Sequence, residues 1–147
     1  MAHTYVLNHL HVVFSTKDRL SLISPAWEHE LHAYFGGIAR NKGFFLDCSG
    51  GTADHVHLLL NLPGSCELAT AVSALKANSS RWAKDRSPHF SWQQGYAAFS
   101  VSYSVLPAVR AYVSRQKAHH AKLSFNDELR IVLHKHNIPY DSADLIG

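Results

Sequence analysis

Two histidines one residue apart, His55 and His57, stand in the stretch Asp54-His55-Val56-His57-Leu58-Leu59-Leu60. Read as a β-strand, with side chains alternating between faces, the stretch sends Val56, Leu58 and Leu60 into a core. It sets the two imidazoles side by side on the opposite face. Neighbouring imidazoles can grip one metal ion. They can equally be ordinary histidines of a half-buried strand, since the chain holds 12 His in 147 residues. A second pair, Tyr112 and Gln116, lies four residues apart and so shares one face of a helix. Two ring nitrogens and an amide oxygen would make three ligands, with positions left for water or phosphate oxygens. The tyrosine hydroxyl could then be aimed at a phosphorus. The plainer reading packs Tyr112 on the core and leaves Gln116 in solvent.

These groups need elements to position them. Residues 4–14 are rich in β-branched and aromatic types and read as a first strand. Ser24-Pro25 reads as an N-cap with proline at the first helical position, followed by Trp27, Leu31, Tyr34, Phe35 and Ile38 at helical spacing and a stop at Gly43. Residues 44–48 form a second strand, Ser49-Gly50-Gly51 a turn, and the histidine strand runs over 54–62. Pro63-Gly64 ends it. Ser65 caps a second helix, with Leu68, Val72 and Leu75 as its apolar stripe, that extends to Asp85. A fourth strand covers 96–104, a third helix 107–121, and a C-terminal helix 125–137. The order β-α-β-β-α-β-α predicts an α+β fold of ferredoxin-like, RRM-like type. Its antiparallel sheet carries helices on one face, and a C-terminal tyrosine-bearing helix is added. The first and third strands are then central, and the histidine face is open for a ligand or a further element.

Composition sets wider bounds. A chain of 147 residues with 46% hydrophobic and 17% charged content suits one globular domain, 1–147. No apolar run reaches the roughly 20 residues that span a bilayer. Met1-Ala2-His3-Thr4-Tyr5 lacks the features of a signal peptide. A cytoplasmic chain without a membrane partner is expected. Cys48 and Cys66 have no metal-type spacing and read as buried thiols. A net charge of +3 with pI near 9.0 permits nucleic-acid binding through local patches. Candidates are Lys17 and Arg19 after the first strand, Lys76, Ser80, Arg81, Lys84 and Arg86 on and after the second helix, and Lys117 and Lys122 flanking the tyrosine. Any of these can instead be part of a solvated face. Trp92 could stack on a base, but a core or dimer role is favoured. Asp54 could orient His55, although capping of the turn is favoured. His9 and His11 should face the same open side as the histidine pair.

Five stretches, taken in order, carry a family resemblance. They are His11-Val12-Val13-Phe14-Ser15-Thr16-Lys17, then Asp54-His55-Val56-His57-Leu58-Leu59, then Lys76-Ala77-Asn78-Ser79-Ser80-Arg81-Trp82. The fourth is Trp92-Gln93-Gln94-Gly95-Tyr96 through Phe99-Ser100-Val101. The last is Tyr112-Val113-Ser114-Arg115-Gln116 with His119-His120. The chain resembles the HUH-type single-tyrosine transposases of insertion sequences (TnpA-like) and their REP-associated relatives. The resemblance implies cleavage and rejoining of single-stranded DNA at hairpin-marked ends. His55, His57 and Gln116 would hold Mg²⁺ or Mn²⁺, and Tyr112 would attack phosphorus to leave a 5′-phosphotyrosine. It also implies a homodimer in which the tyrosine helix acts in cis or in trans, with Ser104-Val105-Leu106-Pro107 as the hinge. Other chemistries fit less well. Histidine-triad hydrolases need a third histidine where Leu59 stands, and two-histidine phosphoesterases use His-x-Thr or His-x-Ser pairs. The remaining alternative is a non-catalytic single-strand or hairpin binder, a domesticated transposase.

Overall fold

The computed structural model describes residues 3–120 and 123–141. Strands β1 (His9–Ser15), β2 (Phe45–Gly51), β3 (His55–Asn61) and β4 (Ala97–Val101) form an antiparallel sheet in the order β2-β3-β1-β4. Helices α1 (Glu28–Lys42) and α2 (Leu68–Lys84) lie between the strands in sequence. Helices α3 (Leu106–Ser114), α4 (Gln116–His120) and α5 (Phe125–Lys135) follow β4. The fold is α+β, with β1 and β3 central as predicted. None of the described helices is long and apolar enough to cross a membrane.

The alternation of β3 sorts the sheet into two faces. Val56, Leu58 and Leu60 join Val12 and Phe14 of β1, Leu31, Phe35 and Ile38 of α1, and Val72 and Leu75 of α2 in the main core. Each such buried side chain contributes about 1.5–3 kcal/mol. A one-residue slip would forfeit that whole set, so the register that pairs Ser15 with His55 and Val13 with His57 is strongly held.

Some boundaries differ from those predicted. Residues 4–8 lie outside β1: the ladder with β3 ends at His9 opposite Asn61, past which the Leu62 amide donates to the Asn8 carbonyl at 3.0 Å. Helix α1 begins at Glu28 after a turn in which the Ala26 amide donates to Ser24 Oγ at 3.2 Å and the Trp27 amide to the Ser24 carbonyl, also at 3.2 Å. Gly43, at φ 82°, ends α1 as predicted. The N-cap of α2 is Glu67, not Ser65. Strand β2 runs on through Gly51, and the turn falls at residues 52–54 instead.

The histidine face carries a further element. Helices α3 and α5 cover it, and Phe125 and Leu133 of α5 pack on Val13 and Phe99. The helix predicted over 107–121 is broken at Arg115 (φ −108°, ψ 26°), whose amide closes a tight turn onto the Tyr112 carbonyl at 3.2 Å. Tyr112 and Gln116 therefore belong to α3 and α4 respectively. Lys122 lies outside the described residues.

Candidate active site

Strand β3 delivers His55 and His57 to the covered face, where they are 0% and 1% exposed. Their orientation is set from behind. His55 Nδ1 is 2.7 Å from Asp54 Oδ1, and Thr52 Oγ1 donates to the same carboxylate oxygen at 2.9 Å. Asp54 thus orients His55, beyond the turn-capping role favoured from sequence. With the proton on Nδ1, the Nε2 lone pair of His55 faces inward. His57 Nδ1 lies 2.8 Å from His11 Nε2, and these rings stack with centroids 5.0 Å apart. Burial, and then the nearby charge of His57, push His11 down to about 3, so His11 is neutral.

Two other elements close the site. Gln116, at the start of α4, donates from Nε2 to the Tyr112 carbonyl at 3.2 Å, which turns its Oε1 toward His55 Nε2 at 3.3 Å. Glu128 of α5 puts Oε1 2.9 Å from His57 Nε2 and 3.7 Å from His55 Nε2. Gln116 is 1% exposed and Glu128 2%. The site is therefore a buried convergence of lone pairs: an imidazole nitrogen, an amide oxygen and a carboxylate oxygen, with the second imidazole beside them. Acceptors so arranged repel one another unless a proton or a cation lies between them. The His55, His57 and Glu128 ligand atoms lie within 4.8 Å of one another, and this group could hold a metal ion.

Tyr112 stands against the site in the same chain. Its ring meets His57 edge-on with centroids 5.7 Å apart, and its hydroxyl donates to Glu128 Oε2. Burial, reinforced by that hydrogen bond, raises the phenol well above its ordinary value, so it is protonated as it stands. Helix α3 reaches this position by crossing β2 at Gly50. A Cβ there would lie 2.1 Å from the Val113 carbonyl oxygen, so only glycine admits the helix. Arg110 of α3 adds a two-pronged ion pair to Asp47 of β2, with both shorter contacts at 2.8 Å.

The predicted nucleic-acid contacts fall into two groups. Near the site, exposed Lys17 lies in the short 3-10 turn before α1, and Lys117 pairs with Glu28 at 2.6 Å. Arg19 and Lys117 line one cleft with Thr52, Asp54 and Ser124. The buried Nε of Arg19 has no hydrogen-bond partner among the described residues. The α2 group lies across the sheet from the histidines. There Lys76 donates to the carbonyls of Gln93, at 2.9 Å, and Gly95, and half burial lowers its pKa to about 8. Ser80 is half-buried, and Arg81 bonds Asn78 at 2.6 Å. Trp92 belongs to the core, with its indole N–H on Ser79 Oγ at 2.9 Å.

Sequence reasoning missed Glu128, and it saw His11 only as a strand residue. A signal for Glu128 was present. Phe125, Glu128, Leu129, Val132 and Leu133 follow helical spacing, which puts a carboxylate in the middle of an apolar stripe.

The family described as "Transposase IS200 like" matches residues 4–116. The chain superposes on a candidate transposase from Deinococcus radiodurans R1 with a TM-score of 0.63 and 24% identity, over 77% of this chain and 94% of that one. It superposes on a REP-associated tyrosine transposase bound to a REP hairpin with a TM-score of 0.64 and 13% identity, over 84% of this chain and 74% of that one. At these identities the two structures speak to the fold alone. No curated protein matches the chain.

Proposed function

The chain belongs to the IS200-like transposase family, and on that premise we propose that it cleaves and rejoins single-stranded DNA at hairpin-marked ends through Tyr112. The observation that carries this reading is the convergence of His55 Nε2, Gln116 Oε1 and the His57 ring beside the Tyr112 hydroxyl, in one buried site within one chain. The donor set fits a divalent ion: one imidazole oriented by Asp54 and one amide oriented by the Tyr112 carbonyl have no hydrogen to offer each other. Bound there, Mg²⁺ or Mn²⁺ would polarise the scissile phosphate and stabilise the charge that develops on it.

The residues supply the remaining steps. Tyr112 Oη attacks phosphorus, the bond to the 3′ oxygen breaks, and that oxygen leaves as a hydroxyl once protonated. The phenolic proton has the Glu128 carboxylate as its hydrogen-bonded acceptor. The product is a 5′-phosphotyrosine that keeps the energy of the broken ester. Another 3′-hydroxyl can reverse the step, return the proton to Tyr112 and join new ends. Asp54 and His11 hold the two imidazoles in place throughout. Backbone phosphates would run past Lys17 and along the cleft that Arg19 and Lys117 line. Lys76, Ser80 and Arg81 would serve only DNA that wraps to the α2 side. The hairpin bound by the REP-associated neighbour supports a hairpin partner here. The protein is read as a single transposase domain, working as a homodimer on DNA in the cytoplasm, with Tyr112 attacking at the site of its own chain.

A labelled single strand carrying a hairpin, incubated with Mg²⁺ or Mn²⁺, tests this. A covalent protein–DNA adduct that disappears in Tyr112→Phe is expected. Hairpin binding with no adduct under either metal would overturn cleavage in favour of a non-catalytic binder.

A further inference from the structure

Helix α5 lies beyond residues 4–116, the part of the chain that the family matches. Yet it inserts a carboxylate between the two imidazoles. A buried carboxylate is costly unless its charge is compensated. The ion-pair partners of Glu128 include His55 and His57, which are cations only when protonated. The distances suit another arrangement. In a six-coordinate Mg²⁺ or Mn²⁺ site, with bonds of about 2.1 Å, neighbouring ligand atoms stand about 3 Å apart. Glu128 Oε1 is 2.9 Å from His57 Nε2 and 3.7 Å from His55 Nε2, and Gln116 Oε1 is 3.3 Å from His55 Nε2. These spacings are close to the edges of such a shell.

We propose that Glu128 is a further protein ligand of the divalent ion, joining His55, His57 and Gln116, and that its second oxygen holds the Tyr112 hydroxyl beside that ion. The inference rests on the metal site proposed above. Its chemistry is consistent: a carboxylate hardens a donor set that two imidazoles would otherwise tilt toward softer ions. It also makes one side chain responsible for both metal affinity and the placement of the nucleophile, because Oε1 faces the imidazoles and Oε2 accepts from Tyr112.

Mn²⁺ binding to the full chain without DNA, followed by loss of the free-ion paramagnetic resonance signal, tests it apart from any activity. The comparison uses wild type, His55→Ala, Glu128→Ala, Glu128→Gln and Glu128→Asp, each first shown to melt cooperatively. Removal of the carboxylate should weaken Mn²⁺ binding by at least about tenfold, the scale on which even outer-shell partners act. Glu128→Asp should recover part of the loss. Glu128→Gln, which keeps the shape and one acceptor oxygen, should fall between wild type and Glu128→Ala, and it carries the test if Glu128→Ala does not fold. If His55→Ala loses Mn²⁺ while the Glu128 variants bind as wild type or more tightly, the carboxylate is a plug at the site and the ligand assignment is overturned, with the metal site intact. If wild type itself does not bind Mn²⁺, both the site and the assignment fall.

Discussion

At the scale of single residues, the site depends on groups that stand behind the imidazoles. Asp54 fixes the tautomer of His55 through a 2.7 Å contact, and Thr52 steadies Asp54. Substitution of Asp54 by Ala should lower Mn²⁺ affinity about 10–100-fold while leaving the fold intact, as read by titration and by circular dichroism. Unchanged affinity would mean that the imidazole is oriented by the β3 backbone alone. His32 of α1 is a second residue whose surroundings set its behaviour. Burial lowers its pKa from 6.5 to about 4, and its Nδ1 lies 2.8 Å from Ser49 Oγ. The folded chain therefore resists a proton that the unfolded chain accepts near pH 6.5. Stability from this residue is present above that pH and is lost as pH falls from 6.5 toward 4. Urea denaturation at pH 7 and pH 4.5 should show a smaller drop for His32→Gln than for wild type. Equal drops would remove His32 from the account.

At the scale of elements, the placement of Tyr112 is decided by how α3 meets β2. Gly50 admits the helix backbone, and the Arg110–Asp47 pair clamps it from the rim. In Gly50→Ala the new methyl must displace the Val113 carbonyl, so α3 and Tyr112 shift. A shift on the order of 1 Å is enough to cost about 10²-fold in the rate of adduct formation. Single-turnover assays on this variant should show that loss with a smaller drop in Mn²⁺ affinity, since His55, His57 and Glu128 sit on other elements while Gln116 is oriented by the Tyr112 carbonyl. A normal rate would show that β2 yields instead of the helix. The break at Arg115 was hidden from pattern reading, because Val113 and Gln116 both satisfy a continuous helical stripe. The break is a backbone event, and nothing in the residue types at 112–116 demands it.

At the scale of the whole molecule, one chain holds both halves of the site. The rings of Tyr112 and His57 lie 5.7 Å apart without a second copy. When His57→Ala and Tyr112→Phe chains are mixed, attack within a chain predicts no recovery of adduct. Recovery toward about a quarter of the wild-type yield, from one working site in the half of the dimers that are mixed, would instead require that the tyrosine helix be exchanged between partners. The charge distribution is also a whole-molecule property. A net +3 is spread over both sides of the sheet, and part of it, such as the Lys76 ammonium on the Gln93 and Gly95 carbonyls, is spent on holding a loop.

That the His55–His57 and Tyr112–Gln116 pairs belong to one site was implied by the family resemblance; the sequence by itself determined the strand order, the central place of the histidine strand and each of the two pairs. Those follow from local periodicity and short-range spacing, which each segment carries within itself. Only the tertiary structure decided that the histidine face is covered, that Asp54 and His11 orient the imidazoles, and that Glu128 enters from α5. These contacts join residues 46 and 71 positions apart, as in His11–His57 and His57–Glu128. Periodicity could mark Glu128 as a carboxylate on an apolar stripe, but which imidazoles it meets depends on how α5 docks across the sheet.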